Sequence, residues 1–214
     1  IGEIIDATGA RLREVGATNK TMLNDYARAI NPNTAMILKV HRSNFAMSGF
    51  VESPPTSAIA ALARKKRIPF IEDLGSGAVI ATEHFAIADH EPTPVESLKA
   101  GADLVCFSGD KLFGGPQAGI IAGKKRFVSA LRCDKLCLAA LQATVDLHLN
   151  QRTTAIPALT LLQISEDELR ARATAISSPL QGLPLQATVG RGLAKAGGGA
   201  LPKSNMPSVT VDLV

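Results

Sequence analysis

Short apolar runs alternate with helix-like segments between residues 34 and 125 of the chain. "TAMILKV" is mostly apolar, as expected for a strand buried on both faces. One helical segment opens with prolines and hydroxyl residues and closes with basic residues, which are the signals of a helix start and end. The predicted strands are "TAMILKV" (34–40), "IPFIEDLG" (68–75), "DLVCFSGD" (103–110) and "AGIIAGKK" (118–125), and the predicted helices are "SPPTSAIAALARKKR" (53–67) and "TPVESLKAGA" (93–102).

This alternation of strands and helices predicts an α/β fold built on a parallel sheet with right-handed crossovers. Before it, "GEIIDATGA" (2–10) predicts a helix that ends at Gly9, and "RLREV" (11–15) alternates as a strand does. Thr21 is the predicted cap of a helix over "MLNDYARAI" (22–30).

The pattern becomes mainly helical after residue 123 and then mixed. Helices are predicted within 124–149 and 165–176, a glycine-rich loop covers 196–202, and "MPSVTVDLV" (206–214) reads as a strand. The expected domain organisation is therefore a large α/β domain over 1–130, a helical connection over 131–180, and the beginning of a smaller α/β domain over 181–214.

Composition narrows the possible functions. Hydrophobic residues make up 46% of the 214 residues and charged residues 20%, which supports a packed core. The absence of Trp and the single Tyr count against an aromatic stacking surface for single-stranded nucleic acid. A net charge of +4 is compatible with a polyanionic partner, although the basic residues are scattered. The three cysteines lack zinc-ligand spacing and suit a reducing cytoplasm, and no apolar run is long enough to span a membrane.

Polar residues lie at the carboxyl ends of the predicted strands in four segments: "GATN" (16–19), "HRSN" (41–44), "EDLGSG" (72–77) and "SGDK" (108–111). In a doubly wound sheet, ligands bind beyond the carboxyl ends of the strands. All four segments are expected to open on one edge of the sheet, which predicts an active site there.

Among the residues of these segments, Asp73 and Lys111 are the pair whose side chains suit two distinct chemical roles at one cofactor. Pyridoxal phosphate requires a lysine that holds it as a Schiff base and a carboxylate that keeps its ring nitrogen protonated. A surface lysine and a turn-forming aspartate are the alternatives for each residue alone. A phosphate loop for nucleoside triphosphates is excluded, because the glycines follow Lys111 and no Ser or Thr adjoins it.

Other polar residues at the predicted edge have two interpretations each. His41 either contacts a cofactor ring or is a structural histidine at a strand end. Ser43 and Asn44 either reach a cofactor oxygen or stabilise a turn. Asp110, next to Lys111, is either a carboxylate that moves protons or a turn residue.

A specific family resemblance accompanies these motifs. "FSGDKLFGGPQAGIIAGKK" (107–125) resembles the cofactor-lysine segment of bacterial selenocysteine synthase, the L-seryl-tRNA(Sec) selenium transferase family. Segments elsewhere in the chain resemble the same family in the same order: "REVGATNKT" (13–21), "AMILKVHRSNFAMSGF" (35–50), "IEDLGSGAVI" (71–80), "LRCDKLCLAAL" (131–141) and the "GGGALP…MPSVTV" tail (197–211).

The resemblance implies the fold of the fold-type-I pyridoxal-phosphate transferases, with a mostly parallel sheet and flanking helices. The implied reaction converts seryl-tRNA(Sec) to selenocysteyl-tRNA(Sec) with pyridoxal 5'-phosphate as cofactor and selenophosphate as donor, in a cytoplasmic homo-oligomer. Lys111 would carry the cofactor and shuttle protons, Asp73 would hold the ring nitrogen, and Asp110 would act near the leaving hydroxyl. Ser108, His41 and Asn44 would also contact the cofactor. Thr18 would bind an oxyanion of the selenium donor.

Departures from the family pattern set limits on this expectation. The resemblance begins inside the family's chain, so the donors to the cofactor phosphate and the N-terminal tRNA-binding region are expected to lie outside these 214 residues. Ala17 stands where the family usually has a threonine, and the link after residue 123 is shorter and lacks an expected arginine, for which Arg132 is not a clear substitute. The reaction is therefore expected to be incomplete in this chain alone. The alternatives are a related pyridoxal-phosphate lyase or aminotransferase acting on a free amino acid, and a catalytically inactive fragment or assembly subunit.

Overall fold

The computed structural model describes residues 5, 8–87, 89–124, 135–195 and 204–213. Its centre is a four-stranded sheet in the spatial order β1-β2-β3-β4. The first three strands are parallel, and β4 runs antiparallel to β3. The strands are β1 (Ile37–Val40), β2 (Phe70–Gly75), β3 (Leu104–Ser108) and β4 (Gly119–Gly123). The predicted α/β class with a mostly parallel sheet is confirmed.

The direction of β4 corrects the expectation of a fully parallel sheet. The chain between Ser108 and Gly119 forms a compact turn in which the N–H of Gly109 donates to the carbonyl of Ala118 at 2.8 Å. A parallel return requires a crossover of a dozen or more residues, usually a helix. The short turn therefore brings β4 back alongside β3 in the opposite direction.

Helices α1 (Leu23–Ala29), α2 (Thr56–Lys66) and α3 (Pro94–Ala100) belong to this part of the fold. Helix α2 buries Ile59, Ala60 and Ala63 in the same cluster as Phe70 and Val105 of the sheet. Complete burial of a side chain such as Phe70 contributes about 1.5–3 kcal/mol.

Sequence signals at both ends of helix α3 determine where the helix begins and ends. The Thr93 hydroxyl accepts from the N–H of Glu96, and the Glu96 carboxylate accepts from the N–H of Thr93. Gly101 ends the helix in the left-handed region, with φ of 109°.

Two predictions before residue 30 are wrong. Residues 11–15 form no strand, because they find no neighbouring strand to pair with in the described structure. Met22, and not Thr21, precedes α1, and its N–H donates to the Asp25 carboxylate at 2.8 Å. The Thr21 hydroxyl donates instead to the carbonyl of Ala17. The helix predicted over 2–10 falls largely outside the described residues.

The later part of the chain contains α4 (Lys135–Leu149), α5 (Pro157–Leu161), α6 (Glu166–Ser177), β5 (Ala187–Ala194) and β6 (Met206–Leu213). β5 and β6 form a separate antiparallel sheet that packs on α6. The predicted helices within 124–149 and 165–176 and the final strand are confirmed where described. Residues 125–134 and most of the glycine-rich loop lie outside the described residues. No helix among the described residues has both the length and the apolar character needed to cross a membrane.

Candidate active site

The carboxyl ends of β1, β2 and β3 are joined to one another by backbone hydrogen bonds. The N–H of His41 donates to the carbonyl of Asp73 at 2.7 Å, which ties the end of β1 to β2. The N–H of Leu112 donates to the carbonyl of Ser76 at 3.0 Å, which ties the loop after β2 to the segment after β3. Three of the four polar segments predicted to meet at this edge therefore do so.

The loop after β2 fits closely between its neighbours. Gly75 and Gly77 both have left-handed backbones, with φ of 69° and 70°. A Cβ at Gly77 would lie 2.4 Å from the carbonyl oxygen of Ser108, and one at Gly75 would lie 2.9 Å from the Ser43 hydroxyl. Glycine is required here by both backbone conformation and space.

Lys111 lies in a turn whose backbone is bonded to itself. The N–H of Gly115 donates to the carbonyl of Gly109 at 2.7 Å, and the N–H of Gly114 donates to the carbonyl of Lys111 at 2.9 Å. A Cβ at Gly114 would lie 2.3 Å from Cγ2 of Ile156, so the later helical region packs directly on this turn. The small residues around Lys111 thus allow a tight turn that leaves the lysine half-buried at the sheet edge.

Phe113 connects the turn that carries Lys111 to the rest of the fold. Its buried ring packs edge-on against Phe107 at 6.0 Å and stacks on the ring of His148 at 5.0 Å between centroids. Nε2 of His148 also lies 3.0 Å from the carbonyl oxygen of Phe113. His148 of α4 was not predicted from the sequence, because no local motif marks a contact across 35 residues.

The adjacent carboxylates of β2 have different surroundings, because successive side chains of a strand point to opposite faces. Glu72 is buried, and its Oε1 lies 2.7 Å from Nζ of Lys39 and accepts from the Thr56 hydroxyl at 2.9 Å. Asp73 is half-buried, and within the described residues its carboxylate has no hydrogen bond or ion pair. The same holds for the ammonium group of Lys111. Asp73, and not Glu72, is the carboxylate available to a ligand.

Cys106 of β3 is the cross-strand partner of Asp73 in the sheet register. Burial raises the pKa of its thiol above the ordinary value, and the negative charge of Asp73 raises it further. The sulfur is therefore held as a neutral thiol at neutral pH. It forms part of the wall beside Asp73 and is not an activated nucleophile.

The remaining predicted residues at this edge differ in exposure. Ser108 is half-buried, whereas Asp110 and Asn44 are exposed. The buried Ser43 hydroxyl donates to Oδ1 of Asn44 at 3.1 Å, which orients the amide. The Ser76 hydroxyl is completely buried and has no hydrogen-bond partner among the described residues.

His41 faces a residue that sequence reasoning missed. Its Nε2 lies 3.3 Å from Oε1 of Glu91, a carboxylate whose side chain is only 4% exposed. Glu91 comes from the loop before α3, which no sequence pattern placed at this edge.

Thr18 is not joined to the other predicted residues by the described contacts. It is exposed, and its segment is bonded to residues 50–52 through Asn19 and Thr21. The strand expected before this segment is absent from residues 11–15, so nothing in the sheet directs it to the shared edge. The described residues also contain no cluster of His, Cys, Asp and Glu able to hold a metal ion.

Comparison with known proteins agrees with the arrangement of these segments. The profile of the L-seryl-tRNA selenium transferase family matches residues 1–214. The chain is 42% identical to the L-seryl-tRNA(Sec) selenium transferase of Alkaliphilus metalliredigens, with 100% of this chain and 48% of the relative covered. It is 43% identical to the enzyme of the same name from Aquifex aeolicus, with 99% and 49% covered.

A solved D-glucosaminate-6-phosphate ammonia-lyase has a similar fold, with a TM-score of 0.56, 20% identity, and coverage of 98% of this chain and 50% of that one. The chain thus spans about half the length of the curated relatives that it matches. The match of the family profile over every residue, together with this identity to the curated relatives, shows that the chain belongs to the L-seryl-tRNA selenium transferase family.

Proposed function

We propose that this chain supplies the ring-binding part of a pyridoxal 5'-phosphate site that converts seryl-tRNA(Sec) to selenocysteyl-tRNA(Sec) with selenophosphate as donor. One observation carries the proposal. Asp73 near the end of β2 and Lys111 after β3 lie at one sheet edge, both are half-buried, and the side chain of neither has a hydrogen bond or ion pair among the described residues. The names of the relatives support seryl-tRNA(Sec) as the substrate.

The residues present fit this cofactor. When bound, pyridoxal phosphate supplies an electron sink that stabilises negative charge at the α-carbon of an amino acid. Asp73 offers an unpaired carboxylate for a protonated ring nitrogen, and its position on the face away from Lys39 keeps that charge available. The closely packed glycines Gly75 and Gly77 place backbone at this edge where other residues would add a side chain.

Lys111 would hold the cofactor through Nζ and would afterwards move the proton at the α-carbon of the substrate. Asp110 is exposed beside it, where its carboxylate would act near the leaving hydroxyl of the seryl group. Ser108, His41 and Asn44 would complete the polar contacts to the cofactor.

Three further proposals concern the whole protein. Thr18 would bind an oxyanion of the selenium donor, which requires its segment to approach the edge when the donor is present. The domain boundary proposed at residue 130 lies outside the described residues, and the boundary at residue 180 would separate the helical region from the two-stranded sheet. A cytoplasmic homo-oligomer is the expected form of the protein.

Borohydride reduction tests the cofactor site directly. The chain is incubated with pyridoxal 5'-phosphate, reduced, digested and mapped by mass spectrometry, and the label is expected on the peptide that contains Lys111. Lys111→Arg should lose this label. Lys124→Arg is the matched control and should retain it, because Lys124 is already paired with Asp103 at the opposite end of β3. A label on another lysine in the wild-type chain would contradict the proposal.

The substrate is tested by comparing seryl-tRNA(Sec) and free serine, each with selenophosphate. Product from seryl-tRNA(Sec) alone supports the proposed reaction. Conversion of the free amino acid would favour the lyase or aminotransferase alternative. Labelling of Lys111 without conversion of either substrate is the result expected if these 214 residues hold the cofactor ring but cannot complete the reaction alone.

A further inference from the structure

The buried carboxylate of Glu91 has no catalytic or binding role in the proposed function. Its side chain is 4% exposed, and Oε1 has no hydrogen-bond partner among the described residues. An ionised carboxylate removed from water costs several kcal/mol unless a charge or a donor compensates it. The group that faces Glu91 is the imidazole of His41, with 3.3 Å between Nε2 and Oε1.

Hydrogen bonds through Thr82 hold the backbone of the segment that carries Glu91. The N–H of Glu91 donates to the Thr82 hydroxyl at 3.2 Å, and that hydroxyl donates to the carbonyl of Asp89 at 2.7 Å. The backbone of His41 is held separately, because its backbone N–H donates to the carbonyl of Asp73. The backbone N–H of each partner is therefore held by a hydrogen bond of its own.

The present contact is close, but its alignment falls short of a hydrogen bond. Hydrogen bonds that orient functional side chains are often long or poorly aligned before a ligand binds, and they tighten in the complex. A carboxylate beside one ring nitrogen favours the proton on that nitrogen and leaves the other nitrogen for a ligand. This is how a carboxylate orients a histidine in many active sites.

We propose that Glu91 is a positioning residue that holds Nε2–H of His41, so that His41 meets a ligand at the sheet edge through Nδ1 or the ring face. The part that concerns a cofactor rests on the proposed function. The orientation of His41 by Glu91 does not rest on it, because both residues belong to the apo chain.

Nitrogen-15 NMR of the histidine rings in the ligand-free chain tests the orientation. In the wild type we expect the proton of the neutral His41 ring to lie on Nε2, as shown by the nitrogen-15 shifts of the two ring nitrogens. Glu91→Gln should keep it there, since the amide oxygen still accepts, and Glu91→Ala should lose this preference. Ring signals of His41 that are the same in all three proteins would overturn the inference. Urea unfolding of each variant identifies losses that come from an unfolded loop, and the Gln variant remains informative if the Ala variant does not fold.

A double-mutant cycle on pyridoxal 5'-phosphate affinity tests the consequence for the site. Glu91→Ala should weaken binding about 10-fold, as expected when the partner that orients a ligand-contacting histidine is lost. The same change should have less than about a 2-fold effect in the His41→Ala background. Equal weakening in both backgrounds would show that Glu91 only anchors its loop, which overturns the positioning role. A chain that binds no cofactor would contradict the proposed function, while the NMR spectra would still decide whether Glu91 orients His41.

Discussion

The two sheets of this chain bury their strands to very different depths. In the four-stranded sheet, Phe70, Leu74 and Val105 are completely buried, and every second residue of β2 is buried. In the two-stranded sheet, every residue of β5 and β6 keeps at least part of its surface, and Leu193 is 72% exposed. A site that depends on fixed distances requires side chains and backbone locked by packing. The candidate site lies on the sheet that provides this packing.

Removing a carboxylate from each face of β2 is expected to affect stability very differently. Glu72→Ala should lower the free energy of unfolding by about 3–5 kcal/mol, because it leaves Lys39 largely buried without its partner. Asp73→Ala, the neighbouring control, should cost about 1 kcal/mol or less, since its carboxylate is unpaired among the described residues. Urea unfolding measures both. Equal losses would show that the two carboxylates do not have separate structural and functional roles.

For cofactor affinity we expect the opposite order, with a larger loss after a change at Asp73 than after a change at Glu72. Asp73→Asn keeps the shape but loses the charge opposite the ring nitrogen. A hydrogen bond between charged groups contributes about 1.5–3 kcal/mol, so affinity for pyridoxal 5'-phosphate should fall about 10- to 100-fold. Absorbance titration measures this change, and turnover should fall by at least ~10²-fold where the complete reaction is assayed. Unchanged affinity would make Asp73 a turn residue, and Glu72→Gln provides the control for a neighbouring carboxylate.

Glycines from the two parts of the chain extend the comparison to the backbone. Gly77 and Gly182 both have left-handed backbones, with φ of 70° and 95°. A Cβ at Gly182 would meet nothing within 4 Å, whereas one at Gly77 would contact the carbonyl oxygen of Ser108. Gly182→Ala should therefore cost about 1–2 kcal/mol from backbone strain alone. Gly77→Ala should cost more in urea unfolding and should also weaken cofactor binding. Similar losses in the free energy of unfolding at both positions would show that the loop after β2 shifts readily to accommodate a Cβ.

The strands and the placement of the Asp73 and Lys111 segments at one sheet edge were predictable, because they depend on local patterns. The apolar runs located β1, β2 and β3, and the rule that ligands bind beyond the carboxyl ends of parallel strands located Asp73 and Lys111. The direction of β4 was missed, since it depends on a turn that closes through backbone hydrogen bonds.

The partners of the predicted residues were not predictable in the same way. Glu91 lies 50 positions from His41, and His148 is separated from Phe113 by 35. Contacts over such separations are determined by the packing of whole elements. No local periodicity or motif encodes them, so a charged or aromatic residue in a loop or on a helix gives no sign of its partner.

A change of pH is expected to alter stability less than these substitutions do, and to act differently on ion pairs in the two parts of the chain. His90 lies between two carboxylates, with Nδ1 at 2.8 Å from Oε1 of Glu83 and Nε2 at 3.4 Å from Oε2 of Glu96. The hydrogen bond with Glu83 raises the pKa of His90 above its ordinary value, and the charge of Glu96 raises it further. Stability from this group is therefore complete below the unfolded pKa of about 6.5 and is lost as pH rises through the raised value.

Glu166 of α6 provides the contrast, because hydrogen bonding from Arg170 and the charge of Arg191 lower its pKa. Stability from a lowered carboxyl pKa is present above the unfolded value of about 4.3 and is lost only as pH falls through the lowered one. Between about pH 6 and pH 8, amide protection corrected for intrinsic exchange should decrease in residues 82–96 and stay constant in 166–177. His90→Gln should remove the difference, since glutamine does not titrate. A parallel decrease in both segments would show that the pH response belongs to the whole fold and not to the pairing of His90.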